Sequence, residues 1–313
     1  MPTPLITMKP YAERTPDTQY QDLLRSILEK GVRTPSQQGV DALTLIGPTP
    51  LHYRLDNGFP LLTERNLAPK ESETLPVTVW QQAIAEILGF INGARTQKEF
   101  EEFGCYWWRF WVTKEKCEKR GLVEGDLGPG SYGAAFHDFP TSEGKPYNQI
   151  AAVIQQIKES PHLRTHFITP WIPQYMMRGK GLTQKVVVCP CHGWMHIRII
   201  ENKLTLHMFQ RSCDVPVGMP QNLIQYAAIA LAIAHVTGTE AYEYVHSISD
   251  AHIYVDQVDS VKTMLEREPR RLPTLSLTPA GLAKDDIFAL RREDFTLSDY
   301  DPHPGIKKIP VAI

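Results

Sequence analysis

An α+β architecture agrees with two features of the sequence: a strand-rich middle and one long, buried helix at 221–236. The chain has 313 residues, one large domain or two ordinary ones, and 42% are apolar, enough for a sizeable core. No linker is long enough to divide it. Residues 1–16 read as a loose arm. Tyr20 to Glu29 carries Leu23, Leu24, Ile27 and Leu28 at helical spacing. Residues 32–40 are turn-rich, with Pro35 and Gly39 as breakers. Leu43 to Ile46 and Leu51 to Leu55 read as short strands on either side of GPTP.

Thr78 to Asn92 predicts a strong helix, with Thr78 as cap and Gly93 as stop. Ile84, Ile87, Leu88 and Ile91 define one face. Glu86 lies beside that face and is the only carboxylate between Trp80 and Asn92. It is either an ordinary surface glutamate or a carboxylate aimed into a cavity, where burial raises its pKa. Phe103 to Val112 is a dense aromatic cluster, suited to core packing or to stacking a flat ligand. GDLGPGSYG at 125–133 is Gly-rich, but no GK[ST] follows, so it is not a phosphate loop. Tyr147 to Glu159 predicts a helix ended by Pro161, and HFITPW a strand. Thr183 to Val188, Trp194 to Ile200 and Leu204 to Phe209 alternate as strands of one sheet. The buried helix follows, then extended segments around 241–256 and 271–277.

Charge and cysteine content narrow the function classes. A net charge of −2 gives no global basic field, which disfavours wrapping by nucleic acid. Five cysteines form no regular framework and read as reduced thiols, so a cytoplasmic protein is expected. The N-terminus lacks the sustained apolar region of a signal peptide. The longest apolar run, Leu223 to Val236, is interrupted by Gln225 and His235 and is shorter than the roughly 18 residues that span a bilayer.

The chemistry centres on VVVCPCHGW at 186–194 and QRSCD at 210–214. A thiol just past the rigid bend at Pro190 suits a nucleophile. Arg211 would lower its pKa or grip an anionic substrate. A zinc site would use Cys189, Cys191, His192 and Cys213, but the second well-spaced ligand pair is missing. A redox pair is weak, because the spacing is C-x-C rather than C-x-x-C. Two buried, inert cysteines is the remaining alternative.

Several motifs fall together in order and spacing: PCH at 190–192, QRSCD at 210–214, Gly-x-Pro-x-Asn at 218–222, DAHIY at 250–254 and the tail YDPHPGIK…PVAI. GFPLLT at 58–63 and GDLGP at 125–129 agree with them. From about residue 20 onward the chain resembles the thymidylate synthase family. The resemblance implies an N-terminal arm at 1–19 and a single catalytic domain at 20–313. It implies a large mixed, mostly antiparallel sheet with flanking helices, one face of the sheet forming a homodimer. The implied reaction is methylation of dUMP to dTMP with 5,10-methylenetetrahydrofolate as co-substrate, yielding dihydrofolate, without a metal. No membrane and no obligatory nucleic acid take part.

The resemblance also assigns roles. Cys191 matches the nucleophile that adds to pyrimidine C6, and Cys189 the position of a packing residue. Glu86 matches the carboxylate that manages protons at the pyrimidine carbonyl, and Tyr132 the tyrosine implicated in removing the C5 proton. Asn222 matches the amide that reads the base; it can donate and accept, which favours uracil over cytosine. His192 would stand behind the nucleophile. Arg211, Ser212, Arg33 and Arg164 match phosphate ligands, Arg164 being donated by the partner subunit. His252 and Tyr254 match the pair at the deoxyribose 3′-hydroxyl. Arg65, Trp108, Trp111, Asp214 and Ile313 match the folate side. The departures lie at the rims. Thr165 replaces a second phosphate arginine, with His166 as a partial substitute. Matching Arg33 requires about four inserted residues. The tail has an extra residue near Lys307 and Lys308. These departures keep two alternatives open: a dUMP hydroxymethylase, and a non-catalytic nucleotide- or RNA-binding protein on the same fold.

Overall fold

The computed structural model describes residues 5–68, 70–72, 75–306 and 309–311. Its centre is a seven-stranded sheet in the order β1-β2-β9-β8-β7-β6, with β3 also paired to β9. The strands are β1 (Val32–Thr34), β2 (Ala42–Ile46), β3 (Leu51–Arg54), β6 (Phe167–Ile168), β7 (Trp194–Ile200), β8 (Lys203–Asp214) and β9 (Glu240–Tyr254). A small hairpin, β4 (Lys70–Ser72) with β5 (Leu75–Thr78), and a pair, β10 (Thr274–Leu277) with β11 (Phe295–Ser298), lie off it. Pairing in the main sheet is antiparallel except between β8 and β9, which run parallel. The predicted mixed, mostly antiparallel sheet is what forms.

The helices that matter for the site are α1 (Gln19–Lys30), α2 (Val79–Ile91), α3 (Gln97–Phe103), α4 (Lys114–Glu118), α5 (Tyr132–His137), α6 (Gln149–Glu159), α7 (Pro173–Met176) and α8 (Gly218–Thr237). A parallel strand pair needs a long crossover, and α8 supplies it between β8 and β9. It is apolar all round and rich in alanine, so it buries nearly every side chain against the inner sheet face and α2. Gly238, at φ 69°, ends it in the left-handed region. The start of α2 is fixed by a capping box between Thr78 and Gln81.

Alternation along β7 and β8 sends Met195, Ile197, Leu204, Leu206 and Met208 into the core. The opposite face stays open, with Trp194, His196, His207 and Phe209 on it and Phe167 half exposed on β6. Trp194 packs edge-on against Phe209, with ring centroids 5.7 Å apart.

Some expectations change. Residues 5–16 are not loose: Arg14 is buried and donates to the Leu272 carbonyl at 3.0 Å and Thr274 Oγ1 at 2.7 Å. The turn-rich stretch 32–40 contributes β1 before it turns. The strand expected in HFITPW shrinks to Phe167–Ile168, because Pro170 cannot donate to a ladder. Thr183 to Val188 is not a strand. Its Lys185 and Val187 amides bond instead to the carbonyls of Tyr175 and Leu127 in neighbouring loops. β8, by contrast, extends through the whole of QRSCD.

Candidate functional site

Cys191 sits in the loop between residue 188 and β7. Its backbone amide donates to the Tyr132 hydroxyl at 2.7 Å, and its own carbonyl accepts from the Arg211 amide at 2.8 Å. The Arg211 side chain clamps the same loop: Nε donates to the Pro190 carbonyl at 2.8 Å, and Nη2 to the Cys189 carbonyl at 3.1 Å. Nη2 also lies 3.4 Å from Cys191 Sγ. Burial pushes the Cys191 thiol up, and the Arg211 cation pulls against it. Cys189 is a different case. Gln184 Nε2 meets its sulfur at 2.7 Å, and Val186 and Met176 pack nearby.

His192 turns away from the thiol. It stacks on Tyr132 at 4.6 Å, and its Nδ1 meets the Tyr226 hydroxyl at 2.7 Å. Burial lowers its pKa to about 3, so the ring is neutral. Gly193 follows at φ 102°, the left-handed region that glycine tolerates; a Cβ there would stand 2.8 Å from the Tyr226 hydroxyl. Tyr132 begins α5 and stacks on Phe90 of α2 at 4.5 Å. Burial holds its phenol well above the usual range.

Glu86, one turn before Phe90, is buried and not a surface residue. Trp107 Nε1 donates to its Oε1 at 2.6 Å, and Gln225 Nε2 donates to Oε2. Burial pushes the carboxyl up to about 7 against the opposing effect of these hydrogen bonds. From Gln225 a row of side chains runs across the core. Asn222 Nδ2 donates to Gln225 Oε1 at 3.0 Å, and Asn222 Oδ1 accepts from Gln210 Nε2 at 3.0 Å. Gln210 Oε1 meets His246 Nε2 at 2.8 Å, and His246 Nδ1 meets the Tyr244 hydroxyl at 3.1 Å. Burial lowers the His246 pKa to about 3, which leaves it neutral.

The end of β8 and the adjacent end of β9 carry a second group. Ser212 pairs in register with Asp250, and Asp214 with His252. His252 Nδ1 bonds Asp250 Oδ1 at 2.8 Å, and the His252 and Tyr254 rings meet edge-on at 5.2 Å. Burial pushes Tyr254 up to about 12 and Asp214 up to about 6. Asp214 accepts from the Val217 amide at 3.2 Å and from Gln257 Nε2 at 3.1 Å. Gln257 also holds the Pro310 carbonyl at 2.9 Å, which brings the described end of the tail beside Asp214. Arg65 Nη2 bonds the Pro216 carbonyl at 2.9 Å. Trp108 is buried against Phe90 and Phe100, and Lys116 lies over the Trp111 ring at 5.2 Å.

Other expected residues stand apart. Arg33, on β1, is exposed and ion-paired to Asp41 at 2.8 Å. Arg164 is exposed just before β6, and its carbonyl accepts from His196 at 3.1 Å. His166 does not substitute for a phosphate cation. It is fully buried, with its ring nitrogens directed at Gln156 Oε1 and the Pro161 carbonyl, and burial lowers its pKa. Ile313 lies outside the described residues. Among those residues, no group of three or more His, Cys, Asp or Glu is placed to hold a metal ion. No helix among them is long and apolar enough to cross a membrane.

Sequence reasoning missed Trp107, Gln210, Gln225 and Gln257. Gln225 did leave a signal, as the amide that interrupts an apolar helix. Trp107 directly precedes Trp108 in the aromatic cluster.

The comparisons with known proteins agree with the geometry. The sequence matches the family model described as thymidylate synthase over residues 18–313. It is 33% identical over 307 residues to "Thymidylate synthase 1/2" of Encephalitozoon cuniculi (strain GB-M1), covering 95% of this chain and 98% of that protein. With that match running through the cysteine loop, β8 and the first turn of α8, the chain belongs to the thymidylate synthase family.

Proposed function

We infer that the protein catalyses the reductive methylation of dUMP to dTMP, with 5,10-methylenetetrahydrofolate as co-substrate and dihydrofolate as the second product. The observation that carries the reading is the connected set of Cys191, Tyr132, His192, Glu86 and Asn222 around one buried region. Cys191 Sγ adds to C6 of the pyrimidine. The sulfur–carbon bond forms as the C5–C6 electron pair shifts towards O4, which makes C5 nucleophilic. Arg211 beside the sulfur favours the thiolate that this step needs. A carboxyl poised at about 7 is suited to pass a proton to O4 and take it back, so Glu86 fills that role. Tyr132 keeps its proton and serves as a relay at C5, rather than as a standing phenolate. Asn222 reads the uracil edge through the second lone pair of Oδ1 and the second hydrogen of Nδ2.

Nη1 of Arg211 and Ser212 take the phosphate, joined by Arg33 as it exchanges its Asp41 partner for the ligand, and His252 and Tyr254 take the deoxyribose 3′-hydroxyl. The folate supplies the one-carbon unit and the hydride when bound. Asp214, Arg65, Trp108 and Trp111 would hold it. One of these fits a ligand that brings acceptors: Arg65 Nε is a buried donor with no acceptor among the described residues. The tail, ending in Ile313, closes over the ligands and excludes water. A second copy covers the open sheet face and donates its Arg164 to the phosphate. The reading places the enzyme in the cytoplasm, where thiols stay reduced. Spectrophotometric release of dihydrofolate from dUMP and methylenetetrahydrofolate tests the reading. Formation of 5-hydroxymethyl-dUMP without dihydrofolate would overturn it.

A further inference from the structure

We propose that Gln225 is a positioning residue whose single amide helps fix the orientation of Asn222 and holds Glu86, joining the group that reads the base to the group that handles its proton. The proposal rests on the catalytic reading above and extends it to a residue that touches neither reacting atom.

Gln225 is fully buried in α8, three residues after Asn222, so the two lie on one face of the helix. It is the one amide side chain in the run from residue 223 to 234. A buried amide is costly unless its hydrogen bonds are made. Gln225 makes both. Its carbonyl accepts from Asn222 Nδ2 at 3.0 Å, and its NH2 donates to Glu86 Oε2.

The direction of the row follows from its ends. Trp107 has only a donor, and it occupies Glu86 Oε1. Gln225 turns its NH2 to Glu86 and its carbonyl to Asn222, the arrangement that the ionised carboxylate, which only accepts, requires. The Asn222 NH2 then faces Gln225, and its carbonyl faces Gln210. Turning any one amide would set two donors or two acceptors against each other. An isolated asparagine could present its amide to a pyrimidine either way round. This one presents a fixed pattern, held on one side by Gln225, through which Glu86 acts, and on the other by Gln210, whose Nε2 also donates to the Ser212 carbonyl at 3.0 Å. The groups around Glu86 that bear on its proton are Trp107, Gln225, Trp108 and the hydroxyl of Tyr226.

The test compares the full-length wild type with Gln225→Met and Gln225→Glu. For each, kcat and KM for dUMP are measured against pH, dCMP and dUMP are compared by competition binding, and thermal midpoints are recorded. Met keeps the length and loses both hydrogen bonds. The preference for dUMP over dCMP should fall at least about tenfold, and the acid limb of kcat/KM should move to higher pH. Glu keeps an acceptor for Asn222 but sets a second carboxyl against Glu86. The base preference should survive while the acid limb moves up further. If Gln225→Met folds and neither quantity changes, the proposal is wrong. If it does not fold, an unmoved acid limb in Gln225→Glu overturns the proposal and a raised one supports it. A wild type that releases no dihydrofolate refutes the catalytic reading itself, which separates the two failures.

Discussion

Glu86→Gln should change stability in a pH-dependent way, and the size follows from the carboxyl's surroundings. Burial raises Glu86 from 4.5 to about 7 in the folded protein. A group whose folded pKa is raised contributes stability that is fully present below its unfolded pKa. That contribution is lost as pH rises through the folded value. Between about pH 5 and pH 8 the wild type therefore forfeits about 2.5 kcal/mol at this site, at 1.36 kcal/mol per pKa unit. Glutamine stays neutral and forfeits nothing. It does pay a constant cost. Its carbonyl must face the Trp107 donor, so its NH2 meets the NH2 of Gln225, at about 1–3 kcal/mol. The variant should be clearly less stable than the wild type near pH 5 and close to parity near pH 8. Urea unfolding followed by tryptophan fluorescence, at one protein concentration and both pH values, measures the difference. An offset that is the same at both would refute a carboxyl buried with a raised pKa. Activity gives a second readout: kcat should fall about 100-fold or more, and the limb near neutrality should vanish.

Three further outcomes are expected. Cys191→Ala should abolish dihydrofolate release while Cys189→Ala keeps it and lowers the thermal midpoint, since only the latter sulfur packs against Gln184 and Val186; equal activity in the two variants would end the covalent step. Gly193→Ala should destabilise by about 2 kcal/mol or more in urea, because a Cβ at φ 102° would also crowd Phe136 Cζ at 2.9 Å. Phe209→Glu, on the open sheet face, should shift sedimentation towards a monomer and cost activity, and an unchanged dimer would place the contact elsewhere.

The chain's periodic elements were legible because one-sided burial leaves a period. β7 and β8 alternate, and α8 shows as a long apolar run. Thr183 to Val188 misled because valines in a loop pinned by Leu127 and Tyr175 look like valines in a ladder. HFITPW misled because its one proline, Pro170, stops the ladder that its aromatic and β-branched residues suggest. At the site, motif order pointed to Cys191, Asn222 and Asp214, and one odd carboxylate in an apolar helix pointed to Glu86. What held them was not legible. Gln210, Gln225, Gln257 and Trp107 are ordinary residue types, and their significance lies in contacts between elements distant in sequence, such as the 139-residue step from Glu86 to Gln225.

The parallel pairing of β8 with β9 also bears on how the protein becomes active as it folds. The two strands meet only after the whole of α8 has closed a long loop between them, and such pairings form slowly. His246 and Tyr244, which terminate the row of side chains, arrive on β9. Cys191 and Asn222 can therefore be in place on β8's side of the sheet before the row that orders them is complete. During refolding, native-like helix content should return ahead of dTMP formation, with activity following the docking of β9.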